Sequence, residues 1–166
     1  ILTILQATAG VMMALPIHGM AGHLIRRLNQ ISVSVFQDHL KASGYDLTQV
    51  QYACLATLDR KPGIDQATLA GLIAYDRATI GTVLDKLDAK GLVTRKVSPR
   101  DRRAREMHLT DAGRDLYRTV TPLVQDIQML MTGGLEPDER AEFLRLAAKL
   151  ANAGNALSRA PLIEPD

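Results

Sequence analysis

The positively charged side chains of this sequence are concentrated in one short segment. From Arg95 to Glu106 there are six Arg or Lys residues and two acids, whereas the whole chain of 166 residues has a formal net charge of only +2. Such a local excess of cations matches the phosphate backbone of a nucleic acid, because Lys and Arg neutralise phosphates and release their counterions. A solvated charged hairpin would have the same composition, so this run alone does not decide between the two interpretations.

The segment just before the basic run is predicted to be a helix from Asp76 to Lys90. Asp76 is a suitable N-cap, because its carboxylate can accept the otherwise unpaired N–H of Thr79. Apolar residues recur at helical spacing and form one stripe, made of Ile80, Val83, Leu84 and Leu87. The opposite face carries the small residues Ala78 and Thr82. A helix that enters the major groove needs short side chains at its closest approach, so helix and basic run together predict binding to double-stranded DNA.

The residues of these two segments divide into predicted base contacts and predicted phosphate contacts. On the helix, the base edges would be contacted by Arg77, Ala78, Thr79 and Thr82. Lys86 is expected at a phosphate, whereas Asp85 also faces outward and would repel phosphate, so it should lie where the helix leaves the groove. In the basic segment, the expected DNA contacts are Arg95, Arg100, Arg102 and Arg103, the last three in the minor groove or at flanking phosphates.

Around these residues the sequence predicts a mainly α fold with one small β-hairpin. Helices are predicted over residues 17–42, 48–58, 65–73, 111–132 and 137–156. Residues 93–97 and 106–110 alternate between apolar and polar side chains, which predicts two strands with a turn at Ser98-Pro99-Arg100-Asp101. Pro122 predicts a kink in its helix, and Pro161 marks the start of a frayed tail. In the last helix, the residues expected to be buried are Phe143, Leu144, Ala147 and Leu150.

Several motifs occur in an order known from one family of regulators. They are Leu47-Thr48-Gln49-Val50-Gln51-Tyr52, Leu69-Ala70, the Asp76 helix with Gly91-Leu92-Val93, Asp101-Arg102-Arg103, and Leu109-Thr110-Asp111-Ala112-Gly113. Over residues 20 to 155 the sequence resembles the MarR family of winged helix-turn-helix regulators, and the last two motifs at this spacing are the most specific. Residues 65–90 would then be the helix-turn-helix pair, with the second helix as the recognition helix. The family pattern also implies that Asp101 holds a neighbouring Arg in the wing by a charge-assisted hydrogen bond.

The helices at the two ends of the chain carry more apolar surface than a small middle lobe can cover. We therefore expect an isologous homodimer, with residues 1–45 and 111–166 as dimerisation helices and residues 46–110 as the winged helix-turn-helix lobe. The MarR resemblance implies the same arrangement. Two recognition helices would then meet major-groove faces about 34 Å apart, which predicts a near-palindromic operator. The alternative is a monomer in which the terminal helices close their own core.

The MarR resemblance also implies control by a small molecule. Regulators of this family are usually repressors that a small aromatic carboxylate or phenol releases from DNA. The residues that could bind such an effector are His23, Arg27, Gln30, Ser34 and Tyr52. The first four follow one shoulder of the first long helix, and Arg is suited to bidentate capture of a carboxylate. The alternative is that His23 and Arg27 are solvated or ion-paired surface groups.

The single cysteine, Cys54, excludes an internal disulfide and a multi-cysteine metal site. Some MarR proteins sense peroxides through a thiol, which makes a redox-sensing regulator an alternative. Those sensing cysteines lie in the first helix, however, whereas Cys54 lies in the middle of the second, between apolar neighbours. Cys54 is therefore interpreted as a small buried apolar residue.

Other classes of function find little support in the sequence. There is no Gly-rich phosphate loop, no His-Glu-x-x-His motif and no nucleophile elbow, so neither an enzyme nor a metal site nor a cofactor is predicted. An aromatic content of 4% without Trp argues against a stacking platform for RNA or single strands. The apolar opening segment is too short to span a bilayer, and a cytoplasmic location is expected. An architectural DNA-binding protein or a module that binds an acidic protein partner remains a possible alternative.

Overall fold

The computed structural model describes residues 15–99 and 105–164, and these form six α-helices and one two-stranded antiparallel hairpin. In chain order the elements are α1 (Ala21–Ala42), α2 (Gln49–Arg60), α3 (Gln66–Leu72), α4 (Arg77–Ala89), β1 (Val93–Val97), β2 (Arg105–Leu109), α5 (Asp111–Met131) and α6 (Pro137–Ala153). The predicted fold class, mainly α with a small β-hairpin wing, is confirmed. Residues predicted to extend the first and last helices instead form the 3-10 turns Pro16–Gly19 and Asn155–Leu157. The chain divides into two compact units, Ile1–Ser34 and Val35–Asp166.

Polar side chains fix where the helices of the DNA-binding lobe begin. Thr48 forms a capping box with Gln51 at the start of α2. Asp65 caps α3 by accepting the backbone N–H groups of Ala67 and Thr68, and Asp76 caps α4 as predicted. Because a cap satisfies backbone donors that the helix itself leaves unpaired, these starts are encoded locally in the sequence.

The core of the Val35–Asp166 unit lies between the helices and the hairpin. Its fully buried large side chains are Leu40, Leu55, Leu58, Leu69, Ile80, Leu84, Leu87, Val93, Met107, Val120 and Ile127. At the edge of this core, a Cβ on Gly113 would lie 2.0 Å from the carbonyl oxygen of Leu92. The hydroxyl of Thr110 donates to the carbonyl of Gly91 (2.7 Å) and accepts from the N–H of Gly113 (3.0 Å). The start of α5 therefore packs directly on the turn that joins α4 to β1.

The hairpin pairs β1 and β2 from Val93 opposite Leu109 to Val97 opposite Arg105. Residues 63–64 extend this pairing on the other side of β2, because Gly63 N–H donates to the Met107 carbonyl and Met107 N–H donates to the Ile64 carbonyl, both at 2.9 Å. Gly63 has φ of 84°, a backbone conformation that favours glycine. On β1 only Val93 is buried, and Val97 is half exposed. The hairpin thus emerges from the core at its Val93 end.

Two expectations about the C-terminal part are wrong for the single chain. No residue of α6 is buried. The four residues of this helix that were expected to be buried are exposed, by as much as 63% for Leu150; they are Phe143, Leu144, Ala147 and Leu150. Their helical spacing does form an apolar face, but nothing within the described chain covers that face. The segment from Pro161 to Glu164 is not frayed as far as the structure describes it, because Ile163 N–H donates to the Gly71 carbonyl at 3.0 Å. The kink at Pro122 stays a prediction.

Candidate nucleic-acid interface

The outward face of α4 exposes the side chains that the sequence predicted to lie there. Ile80, Val83, Leu84 and Leu87 are all buried and hold the helix on the core. The predicted DNA-contacting residues of this helix are all exposed, namely Arg77, Ala78, Thr79, Thr82 and Lys86. On the side away from the core, α4 therefore presents exposed small side chains that are flanked by cations.

The start of α4 is held by its cap and by α3. The backbone N–H of Thr79 donates to Asp76 Oδ1 at 2.8 Å, and the Thr79 hydroxyl donates to Oδ2 at 2.6 Å. These hydrogen bonds, with a smaller contribution from the Arg159 guanidinium, lower the pKa of Asp76 below its usual value. From α3, Gln66 Nε2 donates to the Arg77 carbonyl at 3.1 Å. The Thr79 hydroxyl proton is thus already committed to the cap, which leaves its methyl group and oxygen lone pairs for a base.

Arg95 and Asp85 form an ion pair that joins β1 to α4, through Arg95 Nη2 and Asp85 Oδ1. The sequence assigned Arg95 to DNA and treated Asp85 as an isolated acid that repels phosphate. In the structure each side chain has the other as a partner, so Asp85 is screened and Arg95 is held against the helix. Sequence reasoning missed this pair because ten residues and a change of element separate the two positions.

The basic tip of the hairpin falls largely outside the described residues. Arg100, Asp101, Arg102 and Arg103, predicted as DNA contacts and their support, belong to this part, so the structure does not bear on them. On the near side of the tip, Ser98 is buried and its hydroxyl donates to Glu106 Oε1 at 2.7 Å. The end of the hairpin that faces the tip is therefore closed by a side-chain hydrogen bond.

Four predicted effector-binding residues lie along α1, within the Ile1–Ser34 unit. His23 is partly buried, whereas Arg27, Gln30 and Ser34 are exposed. Burial and the neighbouring charges of Arg26, His18 and Arg27 lower the pKa of His23. Gln30 accepts a hydrogen bond from Arg26, four residues before it on the same helix. His23, Arg27, Gln30 and Ser34 thus follow one side of α1 by helical spacing, and Gln30 already accepts a hydrogen bond from a neighbouring side chain.

The fifth predicted effector residue, Tyr52, belongs to an aromatic cluster in the Val35–Asp166 unit. Its ring centroid lies 6.3 Å from that of Phe36 and 5.7 Å from that of Tyr117. Its hydroxyl lies 3.3 Å from Thr121 Oγ1, within hydrogen-bond distance. Tyr52 is only partly buried, so this cluster offers an apolar wall with polar groups, which is the usual lining of a small-molecule site. Sequence reasoning found Tyr52 but not its neighbours Phe36 and Tyr117, which come from other helices.

The Cys54 side chain does not have the surroundings of a redox sensor. It is fully buried, and burial raises the pKa of its thiol to about 12. Because the thiolate is the form that reacts with peroxides, a buried neutral thiol is poorly reactive. The interpretation of Cys54 as a small apolar core residue is therefore supported.

Over residues 15–99 and 105–164, no cluster of His, Cys, Asp and Glu could hold a metal ion. None of the helices in those ranges is long and apolar enough to cross a membrane. Within the same ranges, a cleft of about 620 Å³ lies between α3, the start of α4 and residues 159–163. Sequence reasoning missed this contribution of the C-terminal segment. Gly71 within a short helix, a signal of close approach by another part of the chain, is the one feature that could have indicated it.

Comparisons with known proteins agree with the geometry of this lobe. The profile of the MarR family matches residues 47–104. Among curated relatives, the transcriptional regulator HosA of Escherichia coli O111:H- is 32% identical over 133 residues, which are 80% of this chain and 96% of HosA. The transcriptional repressor NicR of Pseudomonas putida is 33% identical over 132 residues, which are 80% of this chain and 82% of NicR.

Solved structures of similar proteins have the same fold. PcaV of Streptomyces coelicolor, in complex with its natural ligand, has a TM-score of 0.77 at 30% identity, covering 85% of this chain and 98% of PcaV. BpsR of Bordetella bronchiseptica, whose DNA binding is regulated by 6-hydroxynicotinic acid, also has a TM-score of 0.77 at 30% identity, covering 83% and 97%. The repressor CouR, bound to a 23-mer DNA duplex, has a TM-score of 0.73 at 29% identity, covering 80% and 92%.

The fold, the exposed face of α4 and the relatives that match over most of their length lead to one assignment. The chain belongs to the MarR family of winged helix-turn-helix transcriptional regulators.

Proposed function

We propose that this protein is a ligand-responsive repressor that binds a near-palindromic operator as a homodimer and that a small aromatic carboxylate or phenol releases it. The observation that carries the proposal is the outward face of α4, where Ala78 and Thr82 are exposed between flanking cations. The repressor CouR bound to duplex DNA supports the DNA-binding part. BpsR, regulated by 6-hydroxynicotinic acid, supports the aromatic effector. Such a repressor would act in the cytoplasm, where its operator is.

In this proposal α4 contacts the bases and the hairpin contacts the phosphate backbone of the DNA. Base edges are contacted by Arg77, Ala78, Thr79 and Thr82. Phosphates or the minor groove are contacted by Lys86, Arg100, Arg102 and Arg103, with Asp101 holding a neighbouring Arg in place. Arg95 differs from the others, because its charge is already paired with Asp85 and a phosphate must compete with that carboxylate.

The homodimer would be built from residues 1–45 and 111–166. The exposed apolar side chains support this, since α1 carries Leu24, Ile25, Leu28 and Ile31 and α6 carries Phe143, Leu144, Leu146 and Leu150 on surfaces open to solvent in the single chain. Contiguous apolar surface of this kind marks an interaction site in soluble proteins. A second copy of the chain offers the same surfaces and is the partner that two-fold symmetry requires.

The effector would bind through His23, Arg27, Gln30, Ser34 and Tyr52. Arg27 is the residue proposed to pair with a carboxylate, because its guanidinium offers two parallel donors. We expect Arg27→Ala to bind DNA like the wild type but to need a much higher concentration of aromatic acid for release. A response to aromatic acids equal to that of the wild type would remove Arg27 from the site.

An electrophoretic mobility shift on the DNA upstream of the gene for this chain tests the proposal. The homodimer should shift this DNA in preference to a shuffled duplex of the same composition. In a panel of benzoic, hydroxybenzoic and hydroxynicotinic acids, at least one compound should reverse the shift. An architectural DNA-binding protein would shift both duplexes equally and respond to none of the acids. A module for an acidic protein partner would show no sequence preference.

A further inference from the structure

The C-terminal segment Asn155–Glu164 folds back onto the helix-turn-helix pair. Its shape is fixed internally, because the Asn155 amide both accepts from the Leu162 N–H (2.7 Å) and donates to the Leu162 carbonyl (2.9 Å). It is anchored on α3 by the hydrogen bond from Ile163 N–H to the Gly71 carbonyl. The Ile163 side chain also packs on Gly71, where a Cβ would lie only 2.7 Å from Ile163 Cδ1. The segment is thus docked on α3 by a backbone hydrogen bond and by side-chain packing.

This docking brings Arg159 next to the start of α4. Arg159 is exposed and lines the same cleft as Asp76 and Arg77, and its charge contributes to the lowered pKa of Asp76. Both oxygens of the Asp76 carboxylate already accept hydrogen bonds from Thr79. Two cations and one acid therefore face solvent beside the N-terminal end of the helix that carries the DNA-contacting residues.

We propose that the docked C-terminal segment takes part in DNA binding, and that its Arg159 binds a phosphate of the DNA backbone beside the N-terminus of α4. This inference rests on the proposed function, because it assumes that α4 enters the major groove. Cations at the flanks of a groove-binding helix meet the phosphates on the rim of the groove, and such contacts set its register on the duplex. Arg159 also offsets the negative charge of Asp76, which would otherwise repel a phosphate at this place.

The test measures the salt dependence of binding to a mixed-sequence duplex of about 30 base pairs, long enough for two half-sites. For the wild-type protein, Arg159→Ala, Arg159→Lys and Arg145→Ala, fluorescence anisotropy gives the slope of log K against log salt concentration. Arg159→Ala should lower the magnitude of the slope by about 0.9 for each phosphate that is no longer neutralised, or about 1.8 for a two-fold dimer. Arg159→Lys should keep the wild-type slope. The control Arg145→Ala removes an exposed cation that pairs with Glu142 on α6, and should leave the slope unchanged.

A second variant tests the docking itself. Gly71→Ala places a Cβ where the Ile163 side chain now lies, so that side chain must leave its place and the segment loses this packing on α3, while Ala is the better helix former and keeps α3 intact. Gly71→Ala should therefore reduce the slope like Arg159→Ala. The double variant should bind no more weakly than either single variant, because both substitutions remove the same phosphate interaction.

The outcomes separate this inference from the proposed function. A wild-type protein without salt-dependent DNA binding would overturn both. If the wild type binds but Arg159→Ala keeps its slope, only the role of Arg159 is wrong. Tighter binding by Arg159→Ala or Gly71→Ala would mean that the segment shields the DNA-binding surface, which also contradicts the proposal. Additive reductions in the double variant would show that Gly71 acts by another route, and would refute the role of docking.

Discussion

At the scale of single residues, the ion pair between Asp85 and Arg95 sets the charge that α4 offers to a phosphate. Both side chains are partly exposed, so the pair contributes at most about 1 kcal/mol to stability. Its larger consequence is for binding, because the Asp85 carboxylate neutralises a cation that would otherwise be offered to a phosphate. Asp85 and a DNA phosphate therefore compete for the charge of the Arg95 guanidinium.

Asp85→Asn should strengthen binding to duplexes of any sequence. The substitution removes an anion from the outward side of α4 and frees Arg95, so the salt slope should steepen by about 0.9 per protomer if Arg95 then binds a phosphate. Anisotropy titrations over a range of salt concentrations measure this. Asp88→Asn is the matched control, since it removes the same charge from the same helix but leaves Arg95 paired. Equal effects of the two variants would refute the role of the pair.

Asp65 illustrates how a cap makes stability depend on pH. Hydrogen bonds from the backbone N–H and the hydroxyl of Thr68, and from the N–H of Ala67, lower the pKa of Asp65 in the folded state. A lowered folded pKa stabilises the fold above the unfolded value, and this contribution disappears as the pH falls through the folded pKa. Asn caps nearly as well but carries no charge. Urea unfolding should thus show Asp65→Asn to be less stable at pH 7, by a few tenths of a kcal/mol, with the difference shrinking as the pH falls and vanishing once Asp65 is protonated in the folded state. A difference that grows at low pH would contradict this assignment.

At the scale of elements, the local parts of the fold were predictable and the long-range contacts were not. The starts of α2, α3, α4 and α5 follow from Thr48, Asp65, Asp76 and Thr110, because a cap needs only residues within one turn. The buried stripe of α4 follows from helical periodicity in the same way. Contacts between distant residues have no such local pattern. The pair of Arg95 and Asp85 could be found only once the chain had been folded, and Gly71 signals a close approach without saying that Ile163 makes it.

At Gly113, α5 packs closely against the turn that joins α4 to β1. Gly113→Ala would place a Cβ 2.0 Å from the Leu92 carbonyl oxygen, so the elements must separate, at a cost of about 1–3 kcal/mol typical of overpacking. Gly134→Ala is the control, because a Cβ there meets nothing within 4 Å. Urea denaturation should show a lower midpoint for Gly113→Ala alone. Equal midpoints for the two variants would show that this junction is not tightly packed.

At the scale of the whole molecule, the exposed apolar faces of α1 and α6 support the proposed homodimer. Periodicity predicted that α6 has an apolar face, but it does not say what covers that face, and burial within the chain was the wrong expectation. The proposed second copy explains why Leu144 and Leu150 are exposed in the single chain. It also doubles the cations presented to DNA, which matters for a chain whose net charge is only +2.

Leu150→Glu should separate dimerisation from folding. Leu150 is 63% exposed in the single chain, so a charge there costs the folded protomer little, whereas it would be buried without a partner charge in the dimer. Sedimentation velocity should show a dimer for the wild type and an 18.1 kDa monomer for Leu150→Glu at micromolar concentration. The helical circular dichroism of the two proteins should match. A wild-type protein that sediments as a monomer would remove the homodimer from the proposal.

The central claim is that the slim outward face of α4, duplicated by two-fold symmetry, enters successive major grooves of the operator. Hydroxyl-radical footprinting on the DNA upstream of the gene, with the wild type and Ala78→Glu, tests it most directly. Ala78 is exposed, so Glu at this position leaves the fold intact but puts a long anionic side chain at the closest approach to the bases. The wild type should protect two half-sites with centres about 34 Å apart on one face of the duplex, and Ala78→Glu should protect neither. The same footprint from both proteins would contradict the claim.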